Sequence, residues 1–207
     1  MIDVTKLPTF IVSIPYSDDE TACVKYLKQQ GISASPFYGL KGSNCGLRTK
    51  YMADTNGYIM GGRTVAIGIT HFHIWSAVKW MVESGQSSSD IFAVYETDVE
   101  FTSETWTDEL LEITKDLPEN WDMLYLGHCC TQPIQDNPAV TDRLRKLIRG
   151  MGLHAYLFRY KAAKKLLDSN QRMWTSIDIQ LVWDSFPILN VYGIFPRLAT
   201  QRGPFSE

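Results

Sequence analysis

Short apolar runs alternate with amphipathic segments along most of the chain, and polar or glycine-rich stretches separate them. Runs rich in β-branched residues predict strands, whereas apolar residues spaced three and four apart predict helices. The predicted order begins with strand Thr9 to Ile14, a helix from Asp18 or Asp19 to Lys28, strand Ile32 to Tyr38, helix Val65 to Val82 and strand Ile91 to Tyr95. It continues with helix Thr105 to Lys115, strand Asp122 to Leu126, helix Val140 to Arg149, strand His154 to Phe158, helix Lys161 to Asp168, helix Thr175 to Trp183 and strand Ile188 to Ile194.

The alternation of strands and helices favours an α/β fold, with a mostly parallel central sheet flanked by helices. In such sheets ligands bind beyond the carboxyl ends of the strands. The segment from Gly39 to Gly62 is rich in Gly, Asn and Ser, and a loop of this length is uncommon in a compact domain unless it is functional. We therefore expect one domain over residues 1–207 with a loop that covers a ligand. A domain cut from a longer protein would have the same features.

The composition narrows the classes of partner. The 207 residues are 44% hydrophobic, which is ample for one continuous core. With 20 basic and 23 acidic residues the net charge is −3, which argues against a nucleic-acid or membrane-surface binder. The basic cluster Arg143, Arg145, Lys146 and Arg149 is interpreted as the solvated face of a helix.

The chain also lacks the sequence signals of membrane insertion and secretion. Its apolar runs are well short of the roughly 20 residues that span a bilayer, and its first residues do not form a signal peptide. The four cysteines, Cys23, Cys45, Cys129 and Cys130, have neither the spacing of a disulfide framework nor that of a zinc site. We therefore expect a cytoplasmic protein with reduced cysteines and no transmembrane segment.

Acidic residues follow the apolar strand Ile91 to Tyr95 at every second position, as Glu96, Asp98 and Glu100. Residues two apart in an extended segment lie on the same side, so Glu96 and Asp98 can converge on one partner while Thr97 faces away. Two such carboxylates repel each other and would repel a diphosphate, unless Mg²⁺ or Mn²⁺ lies between them. The pattern therefore favours a metal–diphosphate site. A solvated strand end without a function is the alternative interpretation.

Several segments resemble glycosyltransferase family 25, which contains lipooligosaccharide and collagen galactosyltransferases. The similar segments are Gly68-Ile-Thr-His-Phe-His-Ile-Trp75, Ile91-Phe-Ala-Val-Tyr-Glu-Thr-Asp-Val99, Trp121-Asp-Met-Leu-Tyr-Leu-Gly127, Gly152-Leu-His-Ala-Tyr-Leu-Phe158 and Ile177-Asp178, with Pro196 and Gln201. Each block is short, but together they follow the family's order over nearly the whole chain. The resemblance implies a single GT-A-like catalytic domain that moves a hexose from a UDP-sugar to an acceptor hydroxyl on a glycan or glycoprotein, with Mn²⁺ or Mg²⁺ as cofactor. It also implies inversion at the anomeric carbon, although the departures at Pro15 and Thr97 leave retention open as the alternative outcome.

The resemblance also implies roles for particular residues. Glu96 and Asp98 would hold the metal and the donor. His71 would lie over the donor site, whereas a core or boundary histidine with a hydrogen bond is its structural alternative. Asp178 would be the general base that takes the proton of the acceptor hydroxyl, whereas a first-turn helix acid is its structural alternative. Weaker predictions are His128 and Gln201 as further metal ligands. Three cations in or beside the long loop, Arg48, Lys50 and Arg63, are predicted as contacts to phosphate, with exposed loop cations as the alternative interpretation. His71 and His73 do not form a metal pair, because residues two apart on a helix point in nearly opposite directions.

Two departures from the family keep other functions open. The family has Glu-Asp-Asp where this chain has Glu96-Thr97-Asp98, and its first strand leads into a different turn from Ile14 to Glu20. A degenerate relative that binds a nucleotide sugar or glycan without reaction would explain the missing acid. A glycoside hydrolase with Glu96 and Asp178 as its acid and base is a third hypothesis, and it requires no metal.

Overall fold

Nine strands are formed by the residues that the computed structural model describes, which are 1–13, 17–39, 61–129 and 134–202. They are β1 (Thr9–Ser13), β2 (Ala34–Tyr38), β3 (Ile91–Glu96), β4 (Val99–Phe101), β5 (Met123–Cys129), β6 (Leu144–Lys146), β7 (Met151–Arg159), β8 (Val191–Ile194) and β9 (Ala199–Gln201). Seven of them form one sheet in the order β2-β1-β3-β7-β5-β8-β6, and β4 pairs with β9 in a separate two-stranded sheet.

Most strands of the large sheet run in the same direction. β1 is parallel to β2 and β3, and β5 is parallel to β8, whereas β7 runs antiparallel to both β3 and β5, and β6 runs antiparallel to β8. Five of the seven strands therefore point the same way, and only β6 and β7 are reversed. This confirms the α/β class and the mostly parallel central sheet.

Helices cover both faces of this sheet. They are α1 (Asp18–Gln29), α2 (Gly62–Glu83), α3 (Trp106–Ile113), α4 (Tyr160–Ser169) and α5 (Ile177–Gln180). A π-helix (Leu181–Ser185) continues α5, and 3-10 helices occur at Val4–Lys6, Thr114–Asp116, Ile134–Asp136 and Phe186–Ile188. Among the described residues, no helix has the length and apolar character that crossing a membrane requires.

Alternating residues of the central strands supply two separate cores. On β3, Phe92 and Val94 pack in one core with residues of α2, α4 and α5, while Ala93 and Tyr95 pack in the other with residues of α1 and α3. Both faces of the strand are therefore buried, which explains why it reads as a continuous apolar run rather than as an alternating one. The run of apolar residues stops at Glu96, where the strand leaves the sheet.

The predicted helix from Val140 to Arg149 is wrong, because this region contains the edge strand β6. Apolar residues at 140, 144, 147 and 148 fit helical spacing, but the Thr141 side chain accepts hydrogen bonds from the backbone N–H groups of Arg143 and Leu144. Such local bonds favour a turn over a helix. Three of the four basic residues also have partners: Arg143 pairs with Glu109 at 2.8 Å, Arg145 donates to the Asn137 carbonyl, and Lys146 donates to Asn190.

The end of the chain differs from the prediction in two further respects. The helix predicted from Thr175 is α5 only from Ile177 to Gln180, followed by the π-helix, and the last predicted strand is β8, which begins at Val191. The small sheet of β4 and β9 has no counterpart in the prediction. Residues 40–60, most of the predicted long loop, lie outside the described residues, as do Ile14, Cys45, Arg48, Lys50 and Cys130.

Candidate functional site

The carboxyl ends of β1, β2 and β3 meet at one edge of the sheet. In the register, Val12 of β1 lies opposite Glu96 of β3, and Ser13 lies opposite Tyr38 of β2. The chain then leaves β3 through Thr97 and Asp98 before β4 begins at Val99. The acidic segment is therefore at the edge where α/β sheets bind ligands.

Two cavities lie at this edge. The first has a volume of about 270 Å³ and is lined by Val12, Ser13, Gly39, Arg63, Ala66, Ile67, Thr70, Glu96, Thr97 and Asp98. The second has a volume of about 300 Å³ and is lined by Thr64, Ile67, Glu96, Cys129, Gly152, Leu153, Ser176, Ile177, Asp178 and Gln201. Glu96 and Ile67 line both cavities, so the two spaces adjoin at these side chains.

Asp98 lines the first cavity and is hydrogen-bonded to Gln201 of β9 and to the next residue, Arg202. Its carboxylate Oδ2 accepts a hydrogen bond of 3.3 Å from Nε2 of Gln201, and its carbonyl accepts one of 2.7 Å from the backbone N–H of Arg202. Burial raises the pKa of the Asp98 carboxyl and the neighbouring Glu96 raises it further, while Gln201 and Arg63 act in the opposite direction. The other oxygen, Oδ1, is buried and has no hydrogen-bond partner among the described residues.

A divalent cation fits this arrangement of acids. Two carboxylates line one cavity, their charges oppose each other, and one buried oxygen is left without a donor. A hard cation would satisfy that oxygen, and Mg²⁺ is commonly bound by one or two carboxylates with phosphate and water completing the shell. Within residues 1–13, 17–39, 61–129 and 134–202, no group of three His, Cys, Asp or Glu side chains is arranged to hold a metal ion. Ligand oxygens would therefore have to complete any metal shell here.

The turn that follows β3 places Thr97 in the first cavity, whereas Glu100 lies outside both cavities. Thr97 and Asp98 lie in a turn rather than in extended chain, so the two-residue alternation expected of a strand ends at Glu96. As a result Thr97 lines the first cavity instead of facing away from it. Glu100 is exposed on β4, where it lies opposite Thr200, and it lines neither cavity.

Arg63 lies in the first turn of α2 and lines the first cavity. Its side chain is close enough to Asp98 for its positive charge to lower the pKa of that carboxyl, against the larger effect of burial. The structure thus brings Arg63, Glu96 and Asp98 together. A cation beside two carboxylates can bind an anionic group that would otherwise be repelled.

His71 is fully buried and lines neither cavity. Its Nε2 lies 3.2 Å from Oε1 of Glu96 and its Nδ1 lies 3.0 Å from the hydroxyl of Tyr156. The same hydroxyl accepts a hydrogen bond of 3.0 Å from the indole N–H of Trp75. The predicted donor-site histidine therefore contacts the acid that borders the cavities.

His128 lies apart from the acidic pair, on β5 with its ring buried beside Phe195. Its Nε2 is 2.8 Å from the Ile194 carbonyl oxygen, so this nitrogen carries the proton and donates. Burial lowers the pKa of the His128 imidazole to about 4. His128 is not brought together with Glu96 and Asp98, whereas Gln201, the other predicted addition to the metal shell, is.

Asp178 lies in the second cavity, in the first turn of α5. Its Oδ1 accepts a hydrogen bond of 2.9 Å from the backbone N–H of Ile179, so the carboxylate is fixed by the start of the helix. Negative charge is favoured at this end of a helix. Asp178 and Glu96 therefore line one cavity, although they are 82 positions apart in the sequence.

Several residues that line the cavities were not predicted as site residues, and two of them, Ser13 and Cys129, end strands of the large sheet. Cys129 is an exposed thiol at the end of β5, and the predicted strand ended at Leu126, three positions too early. Ser13 lines the first cavity, and its hydroxyl contacts the carboxylate of Glu20 on α1. Their signal was their position at the carboxyl ends of two strands.

Comparison with known proteins gives structural neighbours only. No protein-family model matches the chain, and a search of curated proteins gives no significant match. The crystal structure of A197 from STIV has a TM-score of 0.52 at 9% identity and covers 90% of this chain and 80% of that chain. A protein described as a glucose-1-phosphate thymidylyltransferase from Bacillus anthracis, in complex with a sucrose, has a TM-score of 0.41 at 10% identity and covers 93% and 69%.

The apo form of mouse xyloside xylosyltransferase 1 has a TM-score of 0.36 at 11% identity and covers 87% of this chain and 71% of that chain. The likeness to A197 supports the α/β fold and says nothing about activity. The other two neighbours are too distant to support an assignment.

Proposed function

We propose that this protein is a metal-dependent glycosyltransferase that moves a hexose from a UDP-sugar to a hydroxyl of a glycan or glycoprotein. The observation that carries the proposal is the shared position of Glu96 between two cavities, with Asp98 in one and Asp178 in the other. Transfer between two substrates requires two adjoining sites, whose reacting groups meet at their boundary. The resemblance of the sequence blocks to glycosyltransferase family 25 agrees with this assignment.

The first cavity is proposed to bind the donor diphosphate. Glu96 and Asp98 would hold Mn²⁺ or Mg²⁺, and Arg63 would contact a phosphate oxygen. When bound, the metal would supply positive charge where negative charge develops on the leaving diphosphate. The contribution of the chain itself is to fix the two carboxylates, through Gln201 on Asp98 and His71 on Glu96.

The second cavity is proposed to bind the acceptor. Asp178 would accept the proton of the acceptor hydroxyl as that oxygen attacks the anomeric carbon, which requires hydrogen-bond reach of the hydroxyl. The bond of its Oδ1 with the Ile179 N–H sets the direction of the carboxylate. The resemblance to family 25 implies that this attack inverts the anomeric carbon as its bond to the UDP oxygen breaks.

Calorimetric titration with UDP, in Mn²⁺ and then in EDTA, tests the donor site directly. We expect UDP to bind in Mn²⁺, to lose affinity in EDTA, and to bind at least tenfold more weakly to Asp98→Asn, since a ligating oxygen is replaced by a neutral amide. Glu100→Gln is the matched control, because Glu100 is exposed and lines neither cavity. Absence of metal-supported UDP binding to the unmodified chain would refute the proposal.

Glycoside hydrolysis is a second candidate, because Glu96 and Asp178 line the same cavity. A hydrolase needs two carboxylates and no metal. Incubation with a panel of UDP-sugars and of aryl glycosides, each with Mn²⁺ or EDTA, separates the two functions. Metal-dependent loss of one UDP-sugar supports the transferase, and metal-independent cleavage of a glycoside supports the hydrolase. Binding of a UDP-sugar that stays intact supports a binding module without activity, the hypothesis based on the acid that is missing at Thr97.

A further inference from the structure

The buried side chains of His71, Trp75 and Tyr156 form a hydrogen-bonded group next to Glu96. His71 and Trp75 are four residues apart on α2, so they lie on the same face of that helix and both reach Tyr156 on β7. All three are fully buried, which leaves bulk water no access to their polar atoms. The hydrogen-bond partners that the structure gives these atoms lie within the group and on Glu96.

Only one placement of the protons satisfies all the hydrogen bonds of this group. An indole N–H can only donate, so Trp75 occupies one acceptor position on the Tyr156 oxygen. The Tyr156 hydroxyl keeps its own proton, because burial raises the pKa of the phenol far above its usual value. That proton needs an acceptor, and Nδ1 of His71, at 3.0 Å, is available only if it carries no proton.

The contact between Nε2 of His71 and Glu96 indicates the same placement of protons. A neutral ring without a proton on Nδ1 carries its proton on Nε2, which lies 3.2 Å from Oε1 of Glu96. The N–H can then donate to the carboxylate. The opposite tautomer would place a bare nitrogen against a carboxylate oxygen and leave the Tyr156 proton without an acceptor.

We propose that His71 is a positioning residue for Glu96: Trp75 and Tyr156 select the tautomer with its proton on Nε2, and that N–H fixes the Glu96 carboxylate at the boundary of the two cavities. One oxygen of Glu96 is thereby held, and the other is left for a ligand. The importance of this for metal binding rests on the proposed function. Hydrogen-bond partners of ligating side chains typically contribute 10- to 100-fold to metal affinity.

Nitrogen NMR of the full chain, labelled with ¹⁵N-histidine, tests the tautomer without any ligand. A ring nitrogen that carries a proton differs strongly in its ¹⁵N shift from one that does not. The signals of His71 are identified by their loss in His71→Gln. We expect a protonated Nε2 and a bare Nδ1 in the unmodified chain, and a shifted Nδ1 signal in Tyr156→Phe, which removes the hydroxyl that donates to this nitrogen. A proton on Nδ1, or signals unchanged in Tyr156→Phe, would overturn the inference.

Titration with Mn²⁺ alone measures the effect on Glu96 in matched variants. His71→Gln places an amide N–H near the position of Nε2 and is expected to retain affinity. His71→Asn, whose amide reaches only the position of Nδ1, and His71→Leu are expected to lose 10- to 100-fold. His73→Gln, two residues along the same helix, is the control. Equal Mn²⁺ affinity in the Leu and Gln variants would overturn the inference while leaving the proposed function intact.

The two proposals fail in different ways. If the unmodified chain binds no Mn²⁺, the proposed metal-dependent function fails. The tautomer signals of the unmodified chain and of Tyr156→Phe then decide alone whether His71 positions Glu96.

Discussion

Gln201 donates a hydrogen bond of 3.3 Å from its side-chain amide to Oδ2 of Asp98, across 103 positions of sequence. The pairing of β4 with β9 brings them together, since Val99 lies opposite Gln201. The contact occupies one oxygen of Asp98 and leaves Oδ1, which is buried and has no partner among the described residues. Gln201 thus orients an acid whose other oxygen has no hydrogen-bond donor within residues 1–13, 17–39, 61–129 and 134–202.

Replacement of Gln201 by Leu is expected to weaken Mn²⁺-supported UDP binding about tenfold, at the lower end of the range for partners of ligating carboxylates. The physical reason is that the Asp98 carboxylate loses the donor that fixes its orientation. Calorimetric titration measures the change. Thr200→Val, at the neighbouring position of β9, is the control, and an affinity in Gln201→Leu equal to that of the control would contradict the role given to Gln201.

Replacement of Asp178 by Asn is expected to lower the rate of transfer by about 10²- to 10⁴-fold, the usual contribution of a general base. Metal-supported UDP binding should be unchanged, because Asp178 lines only the second cavity. Single-turnover kinetics with a reactive UDP-sugar and its acceptor measure the first quantity, and calorimetry the second. Asp184→Asn, which alters the acid bonded to the Trp174 indole, is the matched control. A parallel loss of UDP affinity would place Asp178 in the donor site instead.

Much of the fold could be predicted from the sequence because both faces of the central strands are buried. The run Ile91 to Tyr95 is apolar at every position, and its end at Glu96 marks the edge of the sheet. The error at Val140 to Arg149 arose where that signal is weakest. The edge strand β6 is short, and its apolar residues fit helical spacing equally well.

The candidate site could be predicted in part, and the reason lies in the distance between its residues along the chain. Glu96 and Asp98 are only two positions apart, so the turn at the end of β3 is enough to place both in one cavity. Gln201 reaches Asp98 only through β9, and no local pattern predicts that pairing. The contact of His71 with Glu96 likewise depends on how α2 packs over the sheet, which helical spacing alone does not give.

Acid is expected to destabilise the protein through His128. Burial lowers the pKa of this imidazole from 6.5 to about 4 in the folded chain. Between these values the unfolded chain binds a proton that the folded chain does not, so stability is present above pH 6.5 and is lost as the pH falls towards 4. The full shift corresponds to about 3 kcal/mol.

Urea unfolding at pH 7.5 and pH 4.5 measures this loss in the unmodified chain and in His128→Gln, which keeps a donor for the Ile194 carbonyl. Burial also lowers the pKa of His154, which contributes in both proteins, so the difference between them isolates His128. We expect the variant to lose less stability in acid. An equal loss in both proteins would show that His128 is not the group responsible.

Gly127 and Gly68 are expected to differ in how well they tolerate an added methyl group. A Cβ at Gly127 on β5 would lie 2.1 Å from Nε2 of His154 and 2.7 Å from the Ala199 carbonyl oxygen, which belongs to the backbone of β9. A Cβ at Gly68 on α2 would lie 2.3 Å from Cε of Met173, the flexible end of a long side chain, and 3.3 Å from Cβ of Ile177, which needs to move only slightly. Space must be made in both cases, but only Met173 can move at low cost.

Gly127→Ala is therefore expected to lower the free energy of unfolding by about 1–3 kcal/mol or more, as overpacked cores do. Gly68→Ala is expected to change it by less than about 1 kcal/mol, because alanine favours the helix over glycine by a similar amount and offsets the displacement of Met173. Urea unfolding of the two variants at pH 7.5 measures both values. If Gly68→Ala were the more damaging change, the packing of α2 against Met173 would have to be tighter than the contact between β5 and β9.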